Sequence, residues 1–343
     1  DKTLSQTQTE KGVKKNGEAG TTATASNADG VTQEQQTSGE SGDSAGDSQE
    51  AQENENAQDG ENAATEQELA TGEIDLIIRG QLQLTRKRIK ELTPDPELTG
   101  LFLLPVDTHN IKALLKARLL GTSADDILRD GGNFPLDTLK DMIQTKYYED
   151  MPPVYRDTLN EIESELGREA DPLVFSAMVD GAMFRHAKAI MDAKHEKGFI
   201  RAYFSLWADF QNTLSLIRAQ NLHWELSQLR LVLVDAGEIP RTVFEECLDT
   251  PPEQLGARLN QGAHGADLVQ AINEFAQTGD LGIIARRMQE GKMQIIRLAK
   301  WETDSLGPIV GYLYAREVEA EALRLIFGAL AGGFEAELPE IYT

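Results

Sequence analysis

The sequence predicts an all-α protein built from three copies of one helical unit. Three observations carry this reading. Apolar residues recur at three- and four-residue spacing along most of the chain after residue 72. Runs that alternate apolar and polar residues between turn dipeptides, as strands do, are missing. One helix pattern also returns twice, at intervals of about a hundred residues. It is clearest from Val106 to Gly121, VDTHNIKALLKARLLG. Ile111, Leu114, Leu115, Ala117 and Leu119 supply its apolar positions, with Lys112, Lys116 and Arg118 between them. Asp107 is expected to cap its start and Gly121 to end it. In ADFQNTLSLIRAQNLHW, Asp209 and Asn212 fall 102 residues after Asp107 and Asn110, and Arg218 falls on Lys116. REVEAEALRLIFGALAGG is a weaker third copy at an offset of 212, with Glu319 on Asp107, Ala322 on Asn110, Arg324 on Lys112 and Gly333 on Gly121.

Each element follows in chain order. Residues 1–72 carry about 15 acidic and 4 basic side chains, with no aromatic residue and no proline. Such a tract buries too little apolar area to offset chain entropy, so it reads as a disordered, acidic, low-complexity segment. The first unit is expected over 73–168. Its opening helix runs from Glu73 to Leu92, ended by Pro94 and Pro96. A short apolar segment, Leu98 to Leu104, precedes the repeated helix. Ser123 with Asp126 makes a capping-box-like start for Ala124 to Leu128. Gly131 and Gly132 make a turn, Pro135 opens a helix to about Tyr147, and Pro152 and Pro153 punctuate before a polar helix to about Leu166. The second unit is expected over 169–262, with long helices at Leu173–Ala193 and Phe199–Ala219. EIPRTVFEEC there echoes NFPLDTLKDM, and LDTPPEQLGARL echoes EDMPPVYRDTL. The third is expected over 263–343, with helices at Asp280–Lys300 and from Pro308 to about Leu330, and LPEIY as a truncated echo.

Charge and composition exclude several functions. The formal net charge is −24, and no basic stripe offers itself to nucleic acid or to an anionic lipid surface. A single cysteine, Cys247, allows no intrachain disulfide, which fits a reducing compartment. No apolar run reaches the roughly 20 residues that span a bilayer, and the polar first residues are not a signal peptide. Asp1 in place of methionine points to a processed chain or a fragment.

The chemistry-bearing residues do not assemble into a catalytic pattern. None of His109, His186, His195, His223 and His264 pairs at the spacing of a zinc-hydrolase helix. Cys247 sits among acids, which make a poor nucleophile of a thiol. The glycine pairs at 131–132 and 332–333 lack the Lys-Ser/Thr of a phosphate loop. No catalytic residue, cofactor or metal is therefore expected. The repeated helices instead carry a charge set: Asp107, Asn110, Lys112, Lys116, Asp209, Asn212, Arg218, Arg316, Glu317 and Arg324. One reading makes these exposed faces and hydrogen bonds inside each unit. The other makes them the lining of a common surface that binds a partner.

The segments HNIKALLKARLLG, GGNFPLDTLKDMI, ADFQNTLSLIRAQ and GPIVGYLYAREVEAEALRLIFGALAGG, in that order, resemble the C subunit of V-type ATP synthases, a family that includes the d subunit of the eukaryotic V-ATPase. The resemblance covers about residues 73–343. It implies three helical units around a pseudo-threefold axis, forming a funnel. It implies a non-catalytic central-stalk subunit on the cytoplasmic face of a membrane. Its partners would be shaft subunits D and F and the proteolipid ring, between which it would transmit torque for proton or sodium transport. It also implies helices of the first unit ahead of Glu73, where this chain has the acidic tract; these are expected upstream of Asp1. An all-helical adaptor with no motor is the alternative, and an enzyme using a carboxylate or histidine in a central hollow is a third reading.

Overall fold

The computed structural model describes residues 72–165 and 172–334. The acidic tract and the closing LPEIY echo lie outside the described residues. Among the described residues all regular structure is helical. Helix α1 covers residues 72–92. Helix α2 (Pro96–Gly100) starts at a cap supplied by Asp95, whose carboxylate accepts from the Glu97 and Leu98 N–H groups. A 3₁₀ turn at Leu101–Leu103 then runs directly into α3 (Leu104–Leu120). The expected start at Asp107 is therefore corrected. The apolar segment before it is already helical, and Asp107 lies inside α3 with no exposed surface.

Helices α4 (Leu136–Thr145) and α5 (Pro153–Glu165) follow. Next come α6 (Pro172–Ala193) and α7 (Phe199–Asn221), then α8 (Leu226–Val232), α9 (Arg241–Glu246) and α10 (Pro252–Leu259). The last three are α11 (Gly265–Thr278), α12 (Leu281–Ala299) and α13 (Gly307–Gly332). Pro135 and Pro240 stand before α4 and α9 in one conformation, φ −60° ψ 139° and φ −58° ψ 140°. A ring-fixed φ there aims the chain into the next helix without losing a needed N–H.

The three repeated helices α3, α7 and α13 end alike. Each is followed by a left-handed residue: Gly121 at φ 65°, His223 at φ 52° and Gly333 at φ 69°. The next N–H then reaches back to an orphan carbonyl of the last turn. Thr122 bonds Ala117 O at 2.9 Å, Trp224 bonds Ala219 O at 2.9 Å, and Phe334 bonds Ala329 O at 3.0 Å. All three alanines are buried. Their spacing matches the sequence offsets, so the repeat holds in backbone hydrogen bonding as well as in residue type.

The three repeated helices each pack on a different long helix. Helix α3 packs on α6, and α7 packs on α12. Helix α13 packs on α1 through Ile78, Leu82 and Ala320. Each repeated helix thus meets a long helix that the sequence reading assigns to another unit. The α7–α12 seam is close: Leu206 and Phe210 pack with Ile284 and Met288, a Cβ on Gly291 would come within 2.7 Å of Leu206, and the buried Lys292 sets its ammonium 4.2 Å from the Trp207 ring centroid. The α13–α1 seam has a smaller apolar core and adds ion pairs, Arg86 to Glu317 at 2.9 Å and Arg324 to Asp75 at 2.8 Å. The largest core joins α3, α5, α6 and the start of α7 to Val310 and Leu313 of α13. Each large side chain buried there contributes about 1.5–3 kcal/mol.

Candidate docking surface

The residues singled out in the sequence fall into three groups, and their surroundings assign them different tasks. The first group is Asp107, Asn110, Asp209 and Asn212, all 3% exposed or less. Asn110 receives the Arg129 N–H on Oδ1 at 2.9 Å and donates Nδ2 to Arg129 O at 2.8 Å. Asn212 does the same to Val234, at 2.7 and 3.0 Å. Each side-chain amide copies a strand partner and pins one backbone residue of the returning loop. Asp107 accepts from Phe134 N at 3.2 Å on one oxygen, and from Asn133 N at 3.0 Å and Asn133 Nδ2 at 2.8 Å on the other. Asp209 accepts from Ile239 N at 3.1 Å and Glu238 N at 3.0 Å. The motif Asp-x-x-Asn is thus a two-point clamp on the loop that follows its own helix. A side chain with no free surface cannot meet a partner while the unit stays closed. In this structure these four side chains hold the loop that follows their own helix.

The loops are shaped to accept the clamp. A Cβ at Gly132 would land on Asp107 Oδ1, and one at Gly237 on Asp209 Oδ1. The residues before them, Gly131 at φ 89° and Ala236 at φ 84°, share a positive φ. Burial pushes the Asp107 carboxyl up to about 6, against the N–H groups of Phe134 and Asn133 and the charge of Lys90. Burial likewise pushes Asp209 up to about 7, against the Glu238 and Ile239 N–H groups. Sequence reasoning missed a companion pair. Arg118 donates to Ile143 O and to Glu163, while Gln220, 102 residues on, donates to Cys247 O at 3.0 Å and Thr250 O at 2.7 Å. Arg118 ties α3 to α4 and α5, and Gln220 ties α7 to the chain that follows α9. The aligned echoes contained this signal, but an arginine and a glutamine do not look alike in a sequence.

The second group stays at the surface. Lys116 on α3 and Arg218 on α7 occupy equivalent positions, are exposed, and make no ion pair with any described residue. Lys112 pairs with Asp180 of α6 at 2.7 Å. Asp180 and Arg218 line one small crevice with Ser176 and Ser215. Burial raises the Asp180 carboxyl, opposed by Lys112 and Lys116, so the two lysines stand beside it. One patch of α3, α6 and α7 therefore collects Lys112, Lys116, Asp180 and Arg218. The third group is on α13. Arg316 pairs with Glu319, while Glu317 and Arg324 bond to α1 across the seam.

Among the described residues no grouping of His, Cys, Asp and Glu could hold a metal ion. His109 bonds the Ile127 carbonyl oxygen at 2.8 Å, His186 meets the Tyr155 ring edge-on at 5.6 Å, and Cys247 is buried. No helix among the described residues is long and apolar enough to cross a membrane.

Known proteins resemble this chain in sequence. The family model described as ATP synthase (C/AC39) subunit matches residues 52–340. The C subunit of the V-type sodium ATPase of Enterococcus hirae is 22% identical over 255 residues, covering 73% of this chain and 75% of that protein. The C subunit of the A-type ATP synthase of Methanocaldococcus jannaschii is 22% identical over 270 residues, covering 74% of this chain and 66% of that protein. The counterpart from Pyrococcus horikoshii is 20% identical over 269 residues, covering 76% and 70%. The match takes in all three copies of the repeat, and the chain belongs to the ATP synthase (C/AC39) subunit family of rotary ATPase subunits.

Proposed function

We propose that this chain is the non-catalytic coupling piece of a V-type rotary ATPase, seated between the turning shaft and the membrane proteolipid ring. Shaft subunits D and F are its partners on one side and the ring on the other, at the cytoplasmic face. The three expected units then surround a pseudo-threefold axis as a funnel. The observation that carries this reading is that each repeated helix packs on a long helix of another expected unit. A part that passes torque must resist shear, and close-packed helices with hydrogen-bonded loops do so. The clamps of Asp107, Asn110, Asp209 and Asn212 supply that stiffness by holding each loop to its helix. The contact with the shaft belongs to the exposed cations Lys116 and Arg218, with Lys112 set beside them by Asp180. Arg316, Glu317 and Arg324 serve on the third copy.

The test is co-purification. A tagged chain expressed in its own host should draw shaft and proteolipid subunits from solubilised membranes. Lys116→Glu with Arg218→Glu should cut that recovery severalfold while helicity stays unchanged. Recovery of an intact rotary enzyme lacking the chain, or full recovery with the doubly reversed variant, overturns the reading. The alternative of an adaptor without a motor requires recovery of other proteins and no ATPase subunit.

A further inference from the structure

The ends of the three repeated helices share a feature that the loop clamps do not explain. Every side chain from 104 to 115 in α3 and from 199 to 217 in α7 is buried or half-buried. Only the last turn is open. There α3 exposes Lys116, Leu119 and Leu120, and α7 exposes Arg218, Asn221 and Leu222. Leu120 is 75% exposed and Leu222 57%. The two stand 102 residues apart, each one residue before the left-handed residue that follows its helix, Gly121 or His223. An aliphatic side chain left in water contributes little to folding.

The same position of α13 is Gly332, which has no side chain to expose. The gap is filled from two residues on. A Cβ on Gly332 would fall on the Phe334 ring, so this ring stands where the leucine side chain begins in the other copies. Phe334 is 66% exposed. Three different local sequences thus put a large apolar group at one point of the repeat. The helix ends themselves are free of charge. No Asp, Glu, Lys or Arg occurs over 119–124, 219–224 or 325–334, in a chain of which 26% of residues are charged. Cations stand one turn earlier: Lys116 is four residues before Leu120 and Arg218 four before Leu222, hence on the same helix face. The third copy has Gly328 there.

We propose that Leu120, Leu222 and Phe334 are three apolar knobs that seat against the shaft, extending the contact of Lys116 and Arg218 by one helical turn. The inference rests on the coupling reading for the partner's identity. Continuity selects the occupant: whatever meets Lys116 or Arg218 also reaches a knob about 6 Å further along the same helix face. The matching surface of the shaft carries apolar side chains against the knobs, with carboxylates one turn away at two of the three. At the third copy the contact is apolar alone. An uncharged helix end costs less to desolvate than a charged one, and the buried centre of an interface is depleted of charge in the same way. An anionic lipid surface is disfavoured as the occupant by the net charge of −24.

The experiment uses the full chain and the shaft subunits of its own enzyme, with affinity read by biolayer interferometry at about 50 and 500 mM salt. Leu120→Gln, Leu222→Gln and Phe334→Gln should each weaken binding about fivefold, and the triple variant about a hundredfold, equally at both salt concentrations. Lys116→Glu should weaken binding at low salt and lose most of its effect at high salt. Leu120→Met, Leu222→Met and Phe334→Leu combined should bind within about twofold of the native chain. All these side chains are exposed, so helicity and thermal unfolding should stay unchanged. Native affinity in the triple glutamine variant overturns the inference and leaves the coupling reading standing. Shaft binding kept while proteolipid recovery is lost would place the knobs on the ring. Self-association of the native chain that the triple variant loses would place them against a second copy. Either result overturns the inference. A native chain that binds no shaft subunit overturns the coupling reading, and the inference with it.

Discussion

The loop after α3 holds a short 3₁₀ turn and the longer loop after α7 holds α8, yet the two come back to the same clamp with different residues. Both are pinned by an Asp-x-x-Asn clamp, both need a glycine beneath the aspartate, and both leave through a proline. They differ at the left-handed position. The first loop has Gly131 there, where a Cβ would also strike Arg86, and the second has Ala236. The third copy keeps only part of the plan. Gly333 ends α13 as Gly121 ends α3, but Ala322 stands, equally buried, where the other two copies hold asparagine. The lesson is that the helix end belongs to the repeat itself. The clamp belongs to units that must hold a returning loop, and its geometry tolerates change wherever no side chain has to meet a carboxylate.

The sharpest way to break the equivalence is at the paired glycines. Gly132→Ala and Gly237→Ala should each cost roughly 3 kcal/mol, because the new methyl group evicts the clamping carboxylate and strands buried N–H groups. Urea unfolding of both variants measures this; a large loss at one site and none at the other would end the claim that the loops are equivalent. The asparagines come next. Asn110→Ala and Asn212→Ala should each lose about 2 kcal/mol, from one N–H and one C=O left unpaired. The cost should be greater at Asn212, whose bonds are both buried, than at Asn110, whose bonds are half-buried.

The aspartates sharpen the comparison through pH. Burial raises Asp209 to about 7 in the fold, above an unfolded value of about 3.9. A carboxyl raised by folding stabilises fully below its unfolded pKa, and that contribution is lost as pH rises through the folded one. The native chain should therefore gain on Asp209→Asn as pH falls from about 8 to 5. The same pair at Asp107, raised only to about 6, should show a smaller gain over a lower window. Chemical unfolding at several pH values decides it, and a difference flat in pH contradicts the assignment. The smallest effect is at the left-handed residue. Ala236→Gly should stabilise by about 1 kcal/mol, relieving a positive φ of 84°. Gly131→Ala should destabilise.

Much of this was legible in the sequence. The helical class, the long helices and the repeat offsets came from apolar spacing, Gly121 and the prolines, because those signals are local. The start of α3 was misplaced because Asp107 looks like a cap. Its true partners, Asn133 and Phe134, are 26 and 27 residues away, and no helix-start rule sees them. Separations of 19 and 22 residues hid the task of Asn110 and Asn212 in the same way. Their spacing was visible, but a buried amide and a partner-facing amide read alike in one sequence. Arg86 and Glu317 are separated by 231 residues, so nothing local could have announced the seam they bridge.

The most direct test of the coupling role is a cross-link from the α3–α6–α7 patch. Cys247 is buried and its thiol is pushed up by burial, so a cysteine placed at Arg218 or Lys116 is the reactive one. Labelled there with a photoreactive maleimide and assembled into the rotary enzyme, the chain should cross-link to a shaft subunit from both positions. Assembly of an active enzyme in which neither position reaches the shaft would contradict the account.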